Sequence, residues 1–357
     1  MSRREESAAV LAFDVGGANI KAADGLGWTH AEPFPLWRQP ADLPAALARI
    51  AAGRSPRRIV ATMTGEIADC FPSRQVGVET IIDALTFAAA ISPAAAISPA
   101  AALGIYLVDG SIASPAAARA RARLAAASNW HAMARLAAAH APTGRSLAID
   151  VGSTTTDIVM LADGRPAPLA HDDVGRMASG ELVYTGVERT PVAAIVRSLP
   201  WPAAALPGRP RRPIAAERFA DSRDVWLLLG GLREDPDCTD TADGAPATRE
   251  AARVRIARML LADPGDFLAA DAQAAAEWCA EAQARLVARA AARVIATSGS
   301  GPTSVVLSGH GECLARRALD RLGSNLPVVS LPDLVGPGAA RAAPAHALAL
   351  IARGLIA

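Results

Sequence analysis

Two separated copies of one short pattern constrain this chain more than any other feature: Asp14-Val15-Gly16-Gly17-Ala18-Asn19 and Asp150-Val151-Gly152-Ser153-Thr154-Thr155. Each follows an apolar run with strand character, Val10 to Phe13 and Leu147 to Ile149. Each therefore sets an acidic side chain at a strand end and a turn of small residues after it. Glycine lets a backbone approach a ligand closely because no Cβ intervenes, and successive turn amides form an anion-binding concavity. An aspartate repels phosphate, so its fitting task is to hold a hydrated Mg²⁺ ion that bridges to the phosphate. The expected diphosphate- or nucleotide-binding set is Gly16, Gly17, Asn19, Lys21, Gly152, Ser153, Thr154 and Thr155, with Asp14 and Asp150 as metal ligands.

A chain of 357 residues can bury two cores. Its 36 Lys and Arg against 35 Asp and Glu give a net charge of +1, so no global field draws in nucleic acid or anionic lipid. Cys70, Cys238, Cys279 and Cys313 form no Cys-x-x-Cys pair and have no His at zinc-ligand spacing, which fits buried thiols in a reducing cytoplasm. Met1 to Ser7 is charged and lacks a cleavable apolar region, so secretion is not expected. The stretch Ala84 to Val108 is uncharged and long enough to cross a bilayer. It is mostly alanine, though, and is interrupted at Ser92-Pro93 and Ser98-Pro99 within a short tandem repeat, so a connection between helix and strand is expected there.

Read along its length, the first half gives strands at Leu11 to Phe13, Ile20 to Ala23 and near Trp28. A helix at Leu43 to Ala52, a strand at Arg58 to Thr62 and a polar turn at Thr64-Gly65-Glu66 come next. A helix at Val78 to Ala90, a strand at Ile105 to Val108 and a long Ala/Arg helix from Pro115 to His140 complete it. The second half restarts with strands at Ser146 to Ile149 and Asp157 to Leu161. It continues through a Pro-rich irregular segment at Leu199 to Pro210, helices at Glu250 to Leu261 and Ala269 to Ala296, and an apolar strand at Ser304 to Leu307. That strand ends in Ser308-Gly309-His310-Gly311, and a last helix spans Ala339 to Ile356. Strands alternating with helices imply an α/β architecture. The expected organisation is an N-terminal lobe over 1–142 and a C-terminal lobe over 143–357, with a helical insertion at about 195–300.

The ordered triple of Asp-x-Gly turn, Asp-x-Gly-Ser turn and Ser-Gly-x-Gly resembles the two phosphate motifs and the adenosine motif of the acetate and sugar kinase, Hsp70 and actin superfamily. That resemblance implies two ribonuclease-H-like lobes closing on a phosphorylated ligand, with Gly309 and Gly311 in the third motif. Five further strings, Met63 to Glu66, Ala127 to His131, Asp150 to Asp157, Gly180 to Pro191 and Thr241 to Gly244, look like the hydantoinase/oxoprolinase-related proteins of tetrahydromethanopterin-linked one-carbon metabolism. This likeness covers nearly the whole chain, and Tyr184 to Pro191 is its most discriminating part. It implies a methanofuran-type condensation in which an aminomethylfuran-methyl diphosphate is joined to the phenol of a glutamyl tyramine or tyrosine unit, releasing pyrophosphate.

The residues suit that chemistry. A furylmethyl cation is stabilised by its ring, so the protein chiefly has to grip and neutralise a leaving diphosphate. Lys21 could pair with it, and Ser153, Thr154 and Thr155 could add hydroxyl donors. A phenol needs a carboxylate to take its proton; Glu66 and Asp157 are the candidates, with turn or strand-end hydrogen bonding as the competing role of each. Arg189 could clamp a diphosphate or carboxylate in bidentate fashion, or form an inter-lobe salt bridge. Trp130 and His131 read as structural helix residues, and His171-Asp172-Asp173 as a polar loop. Two other readings stay open: an ATP-dependent small-molecule kinase or hydantoinase/oxoprolinase-like amidohydrolase, for which the third motif would hold adenosine, and a non-catalytic nucleotide-sensing partner. Small molecules are the expected partners, and oligomeric state is not legible.

Overall fold

The computed structural model describes residues 10–90, 103–201 and 211–356. The Ser-Pro repeat, the N-terminal charged segment and most of the Pro-rich segment lie outside the described residues.

Two mixed sheets carry the structure. The first runs β3-β2-β1-β4-β5-β6, where β1 is Val10–Val15, β2 Asn19–Ala23, β3 Thr29–Pro33, β4 Arg58–Met63, β5 Leu103–Tyr106 and β6 Ile112–Ala113. The second contains β7 Arg145–Val151, β8 Thr156–Ala162, β9 Arg165–Pro166, β10 Leu182–Val183, β13 Ser304–Ser308 and β14 Val328–Ser330, in the order β10-β8-β7-β13-β14 with β9 on β8. A separate ribbon pairs β11 Ser198–Pro200 with β12 Arg211–Pro213. In both large sheets an antiparallel hairpin (β1-β2, β7-β8) lies beside a parallel pair (β1-β4, β7-β13). The fold is therefore duplicated, and Asp14 and Asp150 end equivalent central strands. This is the expected two-lobed α/β architecture, with one mixed sheet in each lobe.

The strands that hold the acids are buried on both faces; all six residues of β1 are buried, as expected for a central strand covered by helices. One cluster, including Leu11, Phe13, Leu47 and Ile81, fills one side of the first sheet. Another packs the second sheet against the 29-residue helix Ala269–Thr297, whose buried Ala272, Ala276, Cys279, Gln283 and Val287 recur at helical spacing.

A third core joins the lobes. The helix Asn129–Ala139, which precedes the second sheet in the chain, packs on β7, β8 and β9, whereas the C-terminal helix Ala343–Ala352 packs on β1, β2 and β4 of the first sheet. The two helices also pack on each other, so Ala12, Val60, Trp130, Met133, Val159, Val306 and Leu348 share one apolar cluster.

Two helices differ from expectation. Pro115 to His140 is three segments, Pro115–Ala120, Ala122–Ala125 and Asn129–Ala139; Arg121 leaves helical geometry and Ala127 has φ +48°. Alanine-rich composition gives propensity but no stop signal, and here packing overrides propensity. Likewise the last helix is divided into Pro337–Arg341 and Ala343–Ala352, with the break at Ala342.

Leu348 is fully buried in the shared core. Leu348→Ala should cost about 2–5 kcal/mol and lower a single melting transition common to far-UV circular dichroism and tryptophan fluorescence. Two separable transitions, only one of them shifted, would contradict a core common to both lobes.

Candidate active site

Each acidic turn is closed by the same hydrogen bond. Gly16 N donates to Asn19 O at 3.0 Å, and Gly152 N donates to Thr155 O at 2.9 Å. Among the described residues the amides of Gly17, Ala18, Ser153 and Thr154 have no acceptor in the protein. Such amides are the donors an anion requires.

The third turn lies over the second. Gly311 N donates to Val151 O at 3.0 Å, and Ser308 Oγ donates to Asp150 Oδ1 at 2.5 Å. Gly309 has φ +79°, and a Cβ there would run into the Val151 carbonyl and come within 2.8 Å of Asp150 Oδ1. Glycine is thus required twice over, by conformation and by space. The string Tyr184 to Pro191 covers the second turn from the other side: the amides of Glu188 and Arg189 both donate to Ser153 O at 3.0 Å, and Val187 N to Gly152 O at 3.1 Å.

Asp14 is 3% exposed, and its Oδ1 has no hydrogen-bond partner. Burial raises its pKa, Lys21 opposes this from 3.8 Å, and the charge of Asp150 raises it again. Asp150 is raised too, first by burial, against the Ser308 hydrogen bond and the charges of Lys21 and His310. The two carboxylates are thus within electrostatic reach of each other and share one lysine. Among the described residues no three His, Cys, Asp or Glu side chains converge as a metal cage. Magnesium does not need one, since it keeps waters and commonly takes one or two carboxylates together with substrate phosphates. An unpartnered buried oxygen beside a second acid fits such an ion.

Glu66 follows β4 and is 1% exposed; neither carboxylate oxygen has a side-chain hydrogen-bond partner, and Arg74 Nε is 3.9 Å away. Burial pushes its pKa up to about 7. Asp157 is also raised by burial, to about 6, but its Oδ1 accepts from Arg176 Nη1 at 2.9 Å. Arg176 is itself buried, donates to Glu181 O at 3.0 Å and lies 3.9 Å over the Trp130 ring. Asp157 therefore neutralises a buried guanidinium, a partnership that is costly to break.

Among the described residues Arg189 forms no ion pair; its guanidinium sits 5.4 Å from the ring of Trp37, which comes from the other lobe. Arg74 makes a second bridge across the lobes, to Asp173 at 2.8 Å. Asp172 caps the helix Asp173–Ser179 by accepting from Gly175 N at 2.8 Å, so this acidic pair has structural work. His131 accepts or donates at Nδ1 with Tyr106 OH at 2.7 Å and is pulled down to about 4 by burial. Asp243, in the string Thr241 to Gly244, binds Arg255 and Arg258 at 3.1 and 2.7 Å and ties down the helix Arg249–Met259.

Some groups at the site carry no motif of their own. Trp37 lies in an unpatterned loop. His310 sits inside the third motif, 3.0 Å from Glu188. Burial would raise Glu188, yet the hydrogen bond and charge of His310, with Arg223 and Arg341, hold it down at about 2. Glu188 lies in the family-like string and His310 in the third motif, but nothing in the sequence joins the two.

Two carboxylates at equivalent strand ends, each followed by a glycine turn in a duplicated fold, define a two-lobed α/β protein with paired acidic turns. Within that class, the model of the hydantoinase/oxoprolinase family matches residues 57–349, and the chain belongs to that family. A relative from Methanocaldococcus jannaschii, (4-{4-[2-(gamma-L-glutamylamino)ethyl]phenoxymethyl}furan-2-yl)methanamine synthase, is 29% identical over 257 residues, 71% of this chain and 72% of its own. The protein of the same name from Methanococcus vannielii is 26% identical over 57% of this chain and 88% of its own. Among solved structures, the nucleotide-free acetone carboxylase aligns over 96% of this chain and 70% of its own, with 12% identity and a TM-score of 0.53; this likeness concerns the fold alone. Among the described residues no helix is long and apolar enough to cross a membrane.

The Glu66 shift gives a signed pH dependence. Between its ordinary value of 4.5 and about 7, the folded protein keeps a proton that the unfolded chain has released. Its burial therefore lowers stability progressively as pH rises across that window, with no such cost below it. Glu66→Gln should accordingly gain stability over the wild type between pH 5 and pH 8 in urea denaturation. A difference that stays constant with pH would show that Glu66 is not held in this protonated state.

Proposed function

We propose that this chain is a transferase of methanofuran-type cofactor biosynthesis, which condenses an aminomethylfuran-methyl diphosphate with the phenol of a glutamyl tyramine or tyrosine unit. The observation that supports this most is the pair of matched turns, which offer free amides and two carboxylates within electrostatic reach of each other: a diphosphate needs both. The names of the methanogen relatives supply the rest, since a phenoxymethyl furan contains the ether bond such a reaction would make. Cytoplasmic action on small molecules belongs to the same reading.

In this mechanism the amides of Gly17, Ala18, Ser153 and Thr154 and the ammonium of Lys21 bind the diphosphate, with Asn19 and the hydroxyls of Ser153, Thr154 and Thr155 beside them. Mg²⁺ held by Asp14 and Asp150 would neutralise charge on the leaving group. The furylmethyl C–O bond to the diphosphate breaks, the phenol oxygen forms the new C–O bond, and Glu66 takes the phenolic proton. A carboxylate with a pKa of about 7 suits that transfer near neutral pH. Asp157 positions Arg176, and Arg189 with Trp37 forms a cationic, aromatic wall for the acceptor.

A second reading keeps the third turn, Gly309 to Gly311, as an adenosine site in an ATP-dependent kinase or amidohydrolase. One assay separates the two. Given the furylmethyl diphosphate, a γ-glutamyl tyramine and Mg²⁺, the protein should release pyrophosphate and form the ether by mass spectrometry without ATP. Glu66→Gln should lower kcat by about 10²–10⁴-fold, the usual worth of a positioned base. Product formation only with ATP, with ADP and phosphate appearing in step, would overturn the transferase reading.

A further inference from the structure

Away from the acidic turns, the C-terminal lobe holds a cavity of about 580 Å³ whose lining includes Arg197, Arg211, Arg285 and Arg289, with Trp278 and Tyr184. That volume lies in the range of small-molecule sites. Among the described residues no acidic side chain lines it. Arg285 reaches Glu281 at 3.1 Å, but the same carboxylate also serves Arg321 at 2.7 Å. Arg211 lies 4.6 Å over the Trp278 ring, a stacking that neutralises no charge. Among the described residues, Arg197 and Arg289 have no acidic partner within salt-bridge distance. Arg285 and Arg289 are four apart on the helix Ala269–Thr297, where like charges repel. The cavity thus concentrates positive charge that the protein itself does not offset, and an anion would.

The arrangement favours a particular anion. The guanidiniums stand on two walls, one on the long helix and the other beside the ribbon of β11 and β12. Trp278, Leu286 and the exposed Tyr184 lie between or beside them. Separated cations with apolar surface suit carboxylates spaced along a methylene-bearing chain better than one compact phosphate, and each planar guanidinium can take a carboxylate in two parallel hydrogen bonds.

The cavity also adjoins the site already described. Thr185 and Thr190 line it, while the residues between them rest on the second acidic turn through hydrogen bonds to Gly152 and Ser153. Buried Gln283 fixes this shared wall: its Nε2 donates to Thr185 Oγ1 at 2.8 Å and Gly186 O at 3.0 Å, and its Oε1 accepts from Trp226 Nε1 at 3.1 Å. One loop therefore has the diphosphate turn on one side and the arginine cavity on the other.

We propose that the arginine cavity binds the carboxylates of a γ-glutamyl chain on the acceptor, an inference that rests on the transferase reading for the acceptor's identity. Binding should be measured by titration calorimetry with γ-glutamyl tyramine, tyramine, tri-γ-glutamate and tripolyphosphate, for wild type and for the Arg197→Ala/Arg289→Ala variant. Both positions are exposed, and an unchanged melting temperature would verify folding. Removing two charge-assisted contacts should weaken tri-γ-glutamate about tenfold or more, weaken γ-glutamyl tyramine, with its single carboxylate, by less, leave tyramine unaffected, and raise KM for the acceptor with kcat preserved. Equal tri-γ-glutamate binding by both proteins, or a loss of tripolyphosphate affinity in the variant larger than its loss of tri-γ-glutamate affinity, would overturn the proposal. Should the double variant fold poorly, Arg289→Ala alone carries the same expectation in weaker form. Calorimetry needs no turnover, so the cavity is tested even where pyrophosphate release fails.

Discussion

The confrontation of two carboxylates, Asp14 buried and Asp150 half-buried, is the constraint around which this molecule is built. Asp14 and Asp150 each sit at the end of a central strand, each is raised by burial, and the charge of Asp150 adds to the shift of Asp14. Lys21 and the Ser308 hydroxyl compensate them only in part. Burying acid against acid is unfavourable unless a cation or a proton offsets it. A fold that does so at equivalent points of two repeats holds a site poised for cationic charge, and the free amides of the adjoining turns are poised for the anion such a cation would accompany.

Holding that arrangement requires the lobes to be fixed in relation to each other. The crossed packing of Asn129–Ala139 on the second sheet and Ala343–Ala352 on the first makes one apolar core of surfaces from both. Polar contacts bracket it: Arg74 to Asp173, and Arg189 above Trp37. Glu66 lies beside the first of these bridges, 3.9 Å from Arg74. The state of its carboxylate is thus coupled to the contact between lobes as well as to its own burial.

Much of this was legible in the sequence because it is local. The turns at Asp14 and Asp150 are read from adjacent residues, and so are their strands, the glycine turn after β13 and the long amphipathic helix Ala269–Thr297. What was not legible depends on residues distant in the chain. Alanine repeats gave no stop signal at Arg121 or Ala127, where packing divides the helix. Asp157 and Glu66 look alike as sequence; only the fold brings Arg176 to the first and buries the second with no side-chain hydrogen bond. Trp37 carries no pattern and gains meaning only from Arg189. The four arginines of the second cavity are spread from Arg197 to Arg289 and meet only in three dimensions.

The central claim is that the two acidic turns act together on one diphosphate. A double-mutant cycle on pyrophosphate affinity in the presence of Mg²⁺ tests this most directly, because coupling energy isolates what two groups do jointly. Asp14→Asn and Asp150→Asn should each weaken binding strongly, and the double variant should be little worse than either alone. Losses that simply add, or a single variant that binds pyrophosphate like the wild type, would contradict a shared site.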